Sequence, residues 1–117
     1  EGITKRIREH LRLAKLFTGW IDNHPLFERM APTKMALVCF RAKPENIKDE
    51  KTLNNFNEKL LEEINKTGKL FISHTKLNDK FVLRISFSGL RTEQKHLELA
   101  METIESISIS LINKKQY

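Results

Sequence analysis

One cysteine, four glycines and three prolines in 117 residues leave little room for a disulfide scaffold, a phosphate loop or a flexible linker. With Cys39 alone, neither an internal disulfide nor a paired-cysteine zinc site can form, which favours a reducing compartment and makes a cytoplasmic location the expectation. The glycines stand at 2, 19, 68 and 89, too widely spaced to cradle a phosphate. No apolar run approaches the ~20 residues that span a bilayer, and nothing resembles a signal peptide, so no membrane partner is expected. The histidines at 10, 24, 74 and 96 lack ligand spacing with acidic residues, and no serine sits in a nucleophile motif. Neither a metal site nor a catalytic residue is expected within the chain.

What is present is the composition of one ordinary folded domain over residues 1–117: 39% hydrophobic and 31% charged residues. The net charge of +6 raises the question of an acidic partner. The basic residues, however, are scattered: Lys5, Arg6, Arg8, Arg12 and Lys15 near the start, single positions after them, and Lys114-Lys115 at the end. The sheet aromatics do not follow the pattern of a basic residue, a glycine and two spaced aromatics on which RNA bases stack, so a solvated helix face is expected and a nucleic-acid partner is not. The chain opens with Glu1-Gly2-Ile3, already inside an amphipathic pattern and without an initiator methionine, so an excised fragment is the expectation.

Apolar residues at Ile3, Ile7, Leu11, Ala14, Phe17 and Ile21 recur at helical spacing, and the pattern stops at Asp22-Asn23-His24-Pro25, where proline lacks the N–H a helix needs. A short apolar segment, Leu26 to Ala31, precedes a strand over Met35 to Ala42 that is apolar on both faces. Leu53, Phe56, Leu60, Leu61 and Ile64 mark a second helix, closed by Thr67-Gly68. Strands over Leu70 to Lys76 and Phe81 to Phe87 flank Leu77-Asn78-Asp79-Lys80, a tight turn. Thr92 is placed to cap a last helix with the stripe Leu97, Ala100, Met101, Ile104, Ile107 and Leu111, and with Ser106, Ser108 and Ser110 on its wet face. Residues Asn113 to Tyr117 are expected to fray. The order helix, strand, strand, helix, strand, strand, helix predicts an α+β domain: a mainly antiparallel four-stranded sheet with helices on one face.

Arg84 is set apart by its face. In its strand Phe81, Leu83, Ile85 and Phe87 point one way and Val82, Arg84 and Ser86 the other. A guanidinium in an interior strand needs a partner, either in a fork of hydrogen bonds that fixes strand ends or an interdomain contact, or in a ligand anion. His74 is expected to be a strand histidine satisfied by hydroxyls such as that of Thr75, and Cys39 a small buried hydrophobe.

The run Leu37-Val38-Cys39-Phe40-Arg41, the helix from Leu53 to Ile64, and the run from His74 through Leu77-Asn78-Asp79-Lys80 to Arg84 resemble, in the same order, the C-terminal small domain of group II pyridoxal-phosphate-dependent decarboxylases. Thr92 and His96 match a threonine and a histidine that open the last helix in that family. The resemblance implies a parent homodimer that removes CO2 from an aromatic L-amino acid such as tyrosine, tryptophan or dopa, with pyridoxal 5'-phosphate as electron sink. It also implies that the lysine holding the cofactor, the carboxylate facing its pyridinium nitrogen and the imidazole stacked on its ring belong to a large preceding domain of the same chain. The present segment then has no cofactor-binding residue and is inactive alone. Arg84 and Arg41 match arginines of the family's strand motifs, and with His74 they are the expected near-site or interdomain residues. A stand-alone α+β module that binds a ligand or partner is the alternative.

Overall fold

In the computed structural model, which describes residues 2–87 and 93–114, the elements follow the expected order. They are α1 (Gly2–Asn23), β1 (Phe27–Arg29), β2 (Leu37–Ala42), α2 (Glu50–Lys66), β3 (Ser73–Leu77), β4 (Lys80–Ser86) and α3 (Gln94–Asn113). The sheet is antiparallel throughout in the order β1-β2-β4-β3, with Cys39 opposite Arg84 and Ser73 opposite Arg84 on its other side. The predicted α+β class and one-sided helical layer are what the structure has. Phe17, Phe40, Phe56, Leu60, Leu83, Leu97 and Ile104 are fully or almost fully buried between the helices and one sheet face. Phe17 sits at its centre, with ring centroids 5.4 Å from both Phe40 and Phe87.

Local chemistry explains the ends of the elements. Asp49 caps α2, accepting from the N–H of Thr52 at 2.9 Å, and Gly68 ends it at φ +72°, a conformation that costs glycine little. Glu93, not Thr92, is the N-cap of α3: its carbonyl accepts from the His96 N–H at 2.9 Å, and its own N–H donates to His96 Nδ1 at 2.8 Å. Thr92 lies outside the described residues. The turn between β3 and β4 is Asn78-Asp79, both at positive φ, as a two-residue hairpin requires.

Three expectations need correcting. Strand β2 starts at Leu37 because Met35, at φ +52° and 80% exposed, occupies a tight turn closed by Lys34 and Leu37. The core stripe of α1 is Leu13, Ala14, Phe17 and Ile21, whereas Ile7 and Leu11 are exposed. At 22 residues α1 is about 33 Å long and overhangs a sheet whose six-residue β2 spans roughly 20 Å, so its first half has no core beneath it. Ser108 is buried rather than wet, because it lies one turn from both Ile104 and Leu111; its hydroxyl donates to the Ile104 carbonyl at 2.7 Å. Ser106 and Ser110 are exposed as expected.

Candidate functional site: the sheet face turned from the helices

Strand alternation sends Val38, Phe40, Ala42, Leu83 and Ile85 into the core and Leu37, Cys39, Arg41, Val82, Arg84 and Ser86 to the other face. The register brings Cys39 and Arg84 side by side there, with Ser73 of β3 on the far flank of Arg84. Cys39 is therefore not a core residue. It is a half-buried free thiol beside a guanidinium.

The two arginines of this face differ. Arg41 is only 5% exposed; its Nε donates to Glu28 Oε2 at 2.6 Å, and its Nη1 donates to Glu50 Oε1 at 2.7 Å. Burial works against its charge, but the hydrogen bonds it donates to Glu50 and Glu28 outweigh burial and hold its pKa above the ordinary value. The same contact holds the Glu50 carboxyl below the usual range. Arg41 is thus spent on tying β2 to β1 and to the first turn of α2. Arg84 is half-buried and has no ion-pair partner among the described residues.

His74 does not join them. Opposite Leu83 in the ladder, it lies on the helix side and stacks on Phe81 with centroids 4.7 Å apart and planes 10° from parallel. The hydroxyl of Thr75, its expected partner, points to the opposite face. His74 instead borders an exposed depression with Asn54, Asn55, Glu58 and Lys76.

One histidine cluster escapes sequence reading altogether. His24 accepts the Leu26 N–H on Nδ1 at 3.1 Å, which leaves the proton on Nε2 to meet Glu105 Oε2 at 2.7 Å. Its ring packs edge-on against Trp20 and Phe27. Glu105 is 81 residues away, so no local signal announces the pair. Among the described residues no three His, Cys, Asp or Glu side chains converge as metal ligands.

No family model matches the chain. It is 43% identical over 115 residues to phenylacetaldehyde synthase of Arabidopsis thaliana, covering 97% of this chain and 23% of that protein. It is 38% identical over 117 residues to tyrosine decarboxylase 2 of the same plant, covering 100% of this chain and 21% of that protein. Among solved structures, Oryza sativa TDC with PLP and tryptamine superposes with a TM-score of 0.87 at 31% identity, over 92% of this chain and 23% of that one. Tryptophan decarboxylase of Catharanthus roseus, solved with L-tryptophan, gives 0.82 at 31% identity, over 92% of this chain and 22% of that one. The chain is a homologue, over nearly its whole length, of plant aromatic amino acid decarboxylases and of phenylacetaldehyde synthase. It spans about a fifth of the length of these relatives.

The described residues do not themselves fit the family's cofactor. A lysine that forms a Schiff base is desolvated or set beside another cation, and no described lysine is buried; Lys59 and Lys80, the least exposed, are only half-buried. No glycine-rich turn is present to take a phosphate, and the carboxylate of Glu28 on the far face is already held by Arg41 rather than free for a ring nitrogen.

Proposed function

We propose that residues 1–117 are the C-terminal small domain of a pyridoxal-phosphate-dependent enzyme that releases CO2 from an aromatic L-amino acid, with tyrosine, tryptophan and dopa as the substrates to try first. The observation that carries this reading is the asymmetry of the sheet: one face is sealed by three helices, while the other carries Arg84 with no counter-charge among the described residues. The cofactor and the reacting atoms then belong to a large domain elsewhere in the same protein. This segment supplies a rigid wall against it, with Arg84 aimed at that domain near the cleft and Arg41 holding the wall together. Water exclusion is its contribution to the chemistry. A homodimer in the cytoplasm is part of the proposal, supported by the family likeness and by a half-buried thiol with no disulfide partner in the chain.

A second outcome at the same site is favoured by the 43% identity to phenylacetaldehyde synthase: an aldehyde in place of an amine as the product. The test is an assay of the full-length protein that contains this chain, supplied with pyridoxal 5'-phosphate and each aromatic amino acid, following CO2, amine and aldehyde. Release of CO2 by the full-length protein and none by the isolated segment is expected. Activity of the isolated segment, or full-length protein inert toward every aromatic amino acid, overturns the proposal.

A further inference from the structure

The overhanging half of α1 and the turn before β2 enclose a groove of about 400 Å³, lined chiefly by Ile7, His10, Leu11, Met35 and Leu37. Ile7, Leu11 and Met35 are 48%, 41% and 80% exposed, an unusual amount of large apolar surface to gather in one place. At the same site His10 is 93% buried, being 7% exposed, and its Nε2 is cut off from solvent without a hydrogen-bond partner among the described residues. A buried ring nitrogen left unpaired is unfavourable, and native structures rarely keep one unless something outside the described atoms completes it.

We propose that this groove receives a segment of the same protein from outside residues 1–117, which fills it with apolar side chains and presents an acceptor oxygen to His10 Nε2. The inference rests on the reading of this chain as one domain of a longer enzyme. Relatives of which this chain covers 21–23% leave roughly four-fifths of such a protein to supply the occupant. A second copy fits less well, since two-fold pairing through α1 brings Lys5, Arg6, Arg8, Arg12 and Lys15 of each copy toward their equivalents. A small polar ligand fits less well still, because among the described residues Lys34 and Ser86 are the only other polar side chains in the lining.

The experiment uses the full-length protein with a photoreactive benzoylphenylalanine at Met35 and, separately, at Leu11. Isotopically light and heavy protein are mixed before irradiation, and the products are mapped by mass spectrometry. Cross-links within one polypeptide to residues outside 1–117 are expected from both sites. Light-to-heavy cross-links alone, or none from either site, overturn the proposal.

The acceptor at His10 is read by hydrogen exchange of residues 5–15 in the full-length protein. His10→Leu, which removes the donor, is expected to speed exchange roughly three- to tenfold. His10→Gln, which keeps a nitrogen donor near the Nε2 position, is expected to change it much less. Equal effects of the two variants overturn the hydrogen bond. CO2 release without these cross-links sinks the groove and leaves the enzyme reading standing; cross-links without CO2 release do the reverse.

Discussion

The side-chain amide of Asn57 satisfies both backbone polar groups of Ala42, accepting from its N–H at 2.7 Å and donating to its carbonyl at 3.0 Å. The β2–β4 ladder has already ended at Phe40 and Leu83, so a helix side chain continues the sheet where the next strand does not. Asn65 does the same for Ile72, and Asn54 for Phe81 and Asp79, so that α2 is stitched along its length to strand backbones.

Because Asn57 is fully buried, Asn57→Ala strands a donor and an acceptor in the core. The expected loss is about 2–4 kcal/mol in equilibrium urea unfolding. Asn54→Ala, at a half-buried site, is expected to cost less. Equal losses at the two positions would count against the surrogate-strand role of Asn57.

The Arg41 contact sets part of the acid limit of stability. Its hydrogen bond to Glu50 depresses that carboxyl below an unfolded value of about 4.3. A depressed folded pKa gives stability that is fully present above the unfolded value and is lost as pH falls through the folded one. Glu50→Gln removes this contribution, so its denaturation midpoint is expected to fall less steeply with acid than that of the wild type. The slope does not vanish, because Arg12, Thr52 and Lys66 hold the carboxyls of Glu9, Asp49 and Glu63 low in the same way. Parallel profiles from pH 3 to 7 would show that Arg41 contributes nothing through Glu50.

At the hairpin, Asp79 adopts φ +66° after Asn78 at φ +53°. Asn54 bonds the carbonyl of Asp79, not its side chain, so Asp79→Gly keeps that contact and relieves the left-handed strain. A gain of about 0.5 kcal/mol is expected, visible as a rise in Tm of a few degrees. Asp79→Val is expected to lower Tm, and a Val variant as stable as the Gly one would refute the argument.

The pair His24–Glu105 joins the end of α1 to α3 beside Trp20, the one tryptophan of the chain. Glu105→Gln retains an acceptor and is expected to be near neutral, whereas Glu105→Leu strands the Nε2 proton and costs about 1–2 kcal/mol. Thermal unfolding followed by Trp20 emission distinguishes them.

Much of this architecture is written locally. The stripes of α2 and α3 and the alternation of β4 come from spacing that any neighbour can read, and alternation alone put Arg84 opposite Leu83. The same parity, carried across the two-residue turn that sets Leu77 against Lys80, assigns His74 to the core side with Leu83 and away from Arg84. Motif order places His74 with Arg84, and register separates them. Tertiary choices were not legible: Ile7 and Leu11 keep helical spacing but lie past the end of the sheet, and the partners of Arg41 and His24 are chosen by how elements meet in space.

The overhang of α1 has a consequence for how the protein comes apart. A helix whose second half is anchored by Leu13, Phe17 and Ile21, and whose first half docks, on the proposal above, against a segment outside residues 1–117, would belong to two cooperative units at once. The seam between them then runs through the middle of a continuous helix, where a proteolytic nick or a destabilising substitution near Leu11 loosens one unit while the other stays closed.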